Sequence, residues 1–126
     1  MTKSFMQTQE QLEQKLLECI QEVYFKILGH QPQQISCKLV DKNLTVIIED
    51  SVTQPEKLLI ESGKQDLARQ ARTNIHLAFE PYLKSTIEEV TAIPLTDLIS
   101  KSSLDTGRTS IVAILAHAPE LIDSNK

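Results

Sequence analysis

"SSLDTGRTSIVAIL", residues 102–115, decides how the rest of the chain is read. Its Asp105-Thr106-Gly107 is the tripeptide of aspartic proteases, and 126 residues is close to the length of the half-enzymes that pair two such loops. A protease loop of that kind follows an apolar strand in an all-β fold, and its two carboxylates share a proton across a dyad. Here Lys101-Ser102-Ser103-Leu104 precedes the aspartate, and Arg108 follows the glycine where a small residue is usual. A turn explains the tripeptide with less: Asp105 and Gly107 are standard turn residues, and glycine supplies positive φ between two strands. Residues 109–115 beyond it are almost continuously apolar, as in a central strand. Asp105 is therefore expected to be structural.

Working backward from that strand, Leu95, Leu98 and Ile99 alternate imperfectly, which predicts a strand with a bulge. An earlier pair is cleaner. Ile35, Cys37 and Leu39 alternate with Ser36 and Lys38, Leu44, Val46 and Ile48 alternate with Thr45, Ile47 and Glu49, and Asp41-Lys42-Asn43 supplies the turn, with Asn43 suited to a left-handed conformation. Before it, Thr8-x-x-Gln11 forms a capping-box pattern. Leu12, Leu16, Cys19, Ile20, Val23 and Ile27 then fall on one helical face until Gly29 and Pro32 close the segment. Between the hairpins Thr53, Pro55 and Glu56 suit a helix start. Apolar residues continue from Leu58 to Val90, too long for one uninterrupted helix in so small a domain; breaks are expected at Ser62-Gly63 and Pro81. The order is helix, hairpin, helix, hairpin. It predicts a two-layer α+β fold with a four-stranded, largely antiparallel sheet in a single domain over 8–118, flanked by flexible termini at 1–7 and 119–126.

The apolar stripe of the long segment shifts at Pro81. Leu67, Ala71, Ile75 and Ala78 cluster on one side, whereas Leu83, Ile87 and Val90 point about 100° away. Either a kink brings both onto one sheet, or the second stripe is an interface between copies. The second option leads to the expectation of a homodimer with Leu83, Ile87 and Val90 at its interface. Gln65, Arg69, Arg72 and His76 form a polar strip almost opposite the first stripe. Read plainly it is a solvated face with Asp66 pairing Arg69; read functionally, Arg69, Arg72 and His76 would receive an acidic partner or an anion.

Composition bounds the remaining chemistry. A net charge of −4 argues against a nucleic-acid binder. No apolar run approaches the length of a membrane span, and the first residues do not read as a signal peptide, so the chain is expected to be cytoplasmic and to meet a membrane only through a partner. Cys19 and Cys37 read as reduced core residues; with His30 they lack metal-ligand spacing, so neither metal nor cofactor is expected. Neither a phosphate loop nor a Ser/His/Asp or Cys/His set of familiar spacing is present, and no catalytic residues are assigned.

Several of these features together resemble the MpsC-like family: a helix ending at Gly29 near a proline, a hairpin, "SVTQPEKLLIESG", Arg72, and the final "LDTGRTSIVAIL". The family's Thr-Pro-x-Glu lead-in is matched by Thr53, Pro55, Glu56 and Lys57, and its turn before an apolar strand by Asp105 and Gly107. Gly29-His30-Gln31-Pro32 departs from the family's Gly-x-Gly-Pro loop in having a single glycine. The resemblance implies a role beside a sodium-translocating, membrane-potential-generating system, with related complexes linked to inorganic-carbon uptake. The expected function is that of a non-enzymatic accessory or regulatory protein, with a membrane transporter subunit as partner. The alternative is a small-ligand or anion-binding module, or an enzyme of unrecognised type.

Overall fold

The computed structural model describes residues 7–49 and 52–122. Helix α1 (Gln9–Leu28) is followed by strands β1 (Gln34–Val40) and β2 (Asn43–Glu49), helices α2 (Gln54–Glu61) and α3 (Gln65–Thr91), and strands β3 (Leu95–Ser103) and β4 (Arg108–Leu115). The strands form one antiparallel sheet in the order β1-β2-β4-β3, so both hairpins are present and β2 and β4 are central.

Local chemistry sets most of these boundaries. Thr8 Oγ1 accepts from the Gln11 amide while Gln11 Oε1 accepts from the Thr8 amide, which closes the capping box of α1. Gly29, at φ 65°, ends that helix in the left-handed conformation. Gly63, at φ 75°, separates α2 from α3. The expected bulge lies between Leu95 and Asp97. Gly107 takes φ 71°, as a turn reading of Asp105-Thr106-Gly107 requires. In the first hairpin the positive-φ residue is Asp41 rather than Asn43, because Asn43 already pairs with Val40 and the turn is one residue shorter than expected.

One face of the sheet carries the core. Leu39, Leu44, Val46, Ile48, Ile111, Ala113 and Leu115 point from it toward Leu12, Leu16, Ile20 and Tyr24 of α1 and Phe79, Leu83 and Ile87 of α3. Burying aliphatic side chains of this size contributes about 1.5–3 kcal/mol each. The tail returns to the beginning of the domain: Leu121 bridges Gln7 in parallel, and Leu121 packs against the core. Gln7 and Leu121 thus meet within the described fold; 1–6 and 123–126, where most of the expected flexible termini fall, lie outside the described residues.

Helix α3 departs most from expectation. It runs unbroken through Pro81. Pro81 and Leu77, whose carbonyl loses its donor, are both on the exposed side of the helix, where water can take the missing bond. Its core face is made by Ala68, Arg72, Phe79, Leu83 and Ile87, all within an arc of about 100° at the helical repeat. Leu67 is 48% exposed. The apparent shift of stripe at Pro81 disappears once Arg72 is counted among the inward residues. Leu83 and Ile87, at 1% and 0% exposure, are covered by the chain's own core, and Val90 packs against the same cluster. Leu83 and Ile87 are therefore not available to the expected interface between copies, which leaves the homodimer without the stripe it was argued from.

Candidate functional site

The polar strip of α3 proves to be two inward-facing networks and one surface contact. Its register places Arg72 one turn after buried Ala68, so the guanidinium enters the space between α2, α3 and the sheet. Arg72 is 6% exposed. Its Nη1 donates to Glu56 Oε1 at 3.3 Å, and its Nη2 donates to Thr109 Oγ1 at 3.3 Å. Glu56 is fully buried at the start of α2. The same Oε1 accepts from the Thr53 amide at 2.7 Å and from Thr53 Oγ1 at 3.0 Å. One carboxylate oxygen therefore ties the start of α2 to the middle of α3. Thr109 extends the network to Ser102, hydroxyl to hydroxyl at 2.8 Å across β4 and β3. The expected solvated strip is corrected here: Arg72 is a buried cross-link.

His76, one turn on, is also turned inward. Its Nε2 meets Ser100 Oγ of β3, and Ser100 Oγ donates to Glu80 Oε2 at 2.6 Å. A hydroxyl has one proton to give, and the carboxylate takes it, so Ser100 Oγ accepts from the Nε2 proton of His76. Serine, histidine and glutamate are thus together, but in the wrong order for nucleophilic catalysis, where the imidazole must accept the serine proton. Burial lowers the His76 pKa first; Glu80 opposes that shift and Arg72 adds to it.

Arg69 remains on the surface, about half exposed. It pairs with Asp105 of the β3–β4 turn at 3.4 Å rather than with Asp66. The aspartate of the protease-like tripeptide is thereby an exposed tether between turn and helix.

The space enclosed beside Arg72 and His76 is small. A pocket of about 20 Å³ lies between Tyr24, Ile48, Phe79, Arg72, His76 and Thr109, room for one water. Tyr24 and Phe79 close its apolar side edge-to-face, with ring centroids 5.5 Å apart. Cys37 is free, and burial followed by the Glu13 charge pushes its thiol up to about 12, far from the thiolate a nucleophile requires. Among the described residues no three metal-ligating side chains come together.

The sequence had shown Glu56 and Arg72 only as helix-start chemistry and as part of a polar strip. What could have joined them is that each stands in one of the stretches that carry the family resemblance, 16 residues apart. The family model described as "Na+-translocating membrane potential-generating system (MpsC)" matches residues 8–117. The chain belongs to the MpsC family. No curated protein and no solved structure matches it significantly. The match spans α1 through β4, so the Glu56–Arg72 cross-link and the Asp105 turn both lie inside the family's domain.

Proposed function

We propose that this MpsC-family chain is an accessory or regulatory component of a sodium-translocating, membrane-potential-generating system, acting by protein contact rather than by chemistry of its own. One observation carries the reading: the polar side chains that could have formed a reaction site are spent inward, Arg72 on Glu56 and Thr109, His76 on Ser100. What the fold leaves outward is surface. Among the described residues no element covers the sheet face opposite the helices, and Val40 and Ile99 stand at 59% and 58% exposure near its two edges. Among the described residues no helix is long and apolar enough to cross a membrane. In this proposal the chain works on the cytoplasmic side and meets the membrane through a transporter subunit. The wider association, with inorganic-carbon uptake, belongs to the same proposal.

A tagged chain should recover an integral membrane subunit from detergent extracts of its own cells. Cells lacking the chain should show a smaller sodium-dependent membrane potential with a potentiometric dye, restored by the wild-type gene. Recovery of no membrane protein together with an unchanged potential would reject the reading.

A further inference from the structure

The two edges of the sheet are built differently. At β1 the edge is capped from α1: Gln9 Nε2 donates to the Leu39 carbonyl at 2.8 Å, and the Leu39 amide donates to Glu13 Oε2 at 2.7 Å. Those bonds occupy backbone groups that an added strand would use. At β3 no side chain of the described residues bonds the backbone between Asp97 and Ser102, and β4 is the strand's one neighbour. Asp97, Ile99 and Lys101 project from this edge on the uncovered face, and all three are exposed.

We propose that the β3 edge pairs with the β3 edge of a second copy, antiparallel about a twofold axis through Ile99. In that register Asp97 of each strand lies opposite Lys101 of the other, and the two Ile99 side chains meet between the charge pairs. Directly opposed side chains in an antiparallel pair stand about 4.5–5.5 Å apart at Cβ, close enough for both ion pairs and for the apolar contact. A shift of the axis by one residue in either direction sets Asp97 and Lys101 against uncharged residues and loses both pairs. The same two charges disfavour addition of an arbitrary apolar strand, so the edge is blunted toward strangers and complementary to itself. A twofold normal to the sheet keeps the helices of both copies on one side. Leu77, 56% exposed, with Pro81 and Lys84 flanks the groove beside β3 and would then face its own copy. The result is a continuous eight-stranded sheet, through a surface unrelated to Leu83 and Ile87.

The test is a charge exchange on the full chain, followed by light scattering and sedimentation. Wild type should be dimeric at about 100 μM, where a specific dimer of sub-micromolar affinity is assembled. Asp97→Lys sets lysine against lysine and Lys101→Asp sets aspartate against aspartate; each should weaken dimerisation at least tenfold with an unchanged circular dichroism spectrum. Mixing the two variants should restore a dimer containing one chain of each, because every opposed pair is again of opposite sign. The double variant Asp97→Lys/Lys101→Asp should dimerise by itself. A monomeric wild type at about 100 μM overturns the proposal. So do single variants that stay fully dimeric, and a mixture that stays monomeric.

Discussion

Helix α3 buries charge in its first half and hydrocarbon in its second, on one continuous face. From Ala68 to His76 the inward side chains meet Glu56, Thr109 and Ser100; from Phe79 to Ile87 they meet the aliphatic core. The two halves follow different rules. An apolar side chain at Leu83 needs only volume and an approximate shape, because dispersion and dehydration are undirected. A guanidinium at Arg72 needs one carboxylate in one place, because an unpartnered buried charge costs several kcal/mol. The polar half therefore specifies where α2 docks, and the apolar half supplies most of the stabilisation.

The largest expected effect separates those rules. Arg72→Glu would set two carboxylates together in a buried site, and a loss of about 4 kcal/mol is expected in urea unfolding. A change under about 1 kcal/mol would show that the Arg72 site is as tolerant as a surface position. Leu83→Ala removes a fully buried side chain from the other half and should cost about 3 kcal/mol by transfer and cavity terms. The two variants differ in rescue. Replacing both Glu56 and Arg72 by apolar residues should recover part of the loss, since both charges leave together; Leu83→Met should be nearly neutral.

A smaller effect concerns pH. The folded-state pKa of His76 lies below its ordinary value of 6.5, chiefly through burial. The unfolded chain therefore binds this proton more readily, and the stability His76 contributes is present above about 6.5 and lost as pH falls below it through the lower folded-state pKa. His76→Gln should flatten that part of the stability-against-pH curve. Identical slopes in both proteins would remove His76 from the polar half. The smallest effect is at Arg69–Asp105, where both side chains are more than half exposed. Asp105→Asn should change stability by about 0.5 kcal/mol or less, and by less still at high salt. A loss of 2 kcal/mol or more on the same scale would mean that the turn tether shares the character of the buried network.

Much of this molecule is legible along the chain. Thr8 and Gln11, Gly29, Gly63 and Gly107 act through bonds and dihedrals within a few residues of themselves, so their sequence context contains the physics that fixes them. The alternation of Leu44, Val46 and Ile48 and the bulge before Leu98 follow from the two-residue period of a strand. Element order and antiparallel hairpins were determined at that level, as was the positive-φ turn at Gly107.

Only the tertiary structure decided which face of α3 is the inner one. A charged residue reads as outward when taken alone, because burying it is costly; that assumption broke the true stripe at Arg72 and promoted Leu67, Ala71 and Ala78 in its place. The cost is offset by Glu56, which belongs to another helix, and by Thr109, which belongs to a strand 37 positions away. The same holds for Ser100 beneath His76 and for the contrast between a capped β1 edge and an open β3 edge. Each depends on a pairing between distant segments. A single sequence records which groups are available for such pairings, and the folded chain alone determines which of them meet.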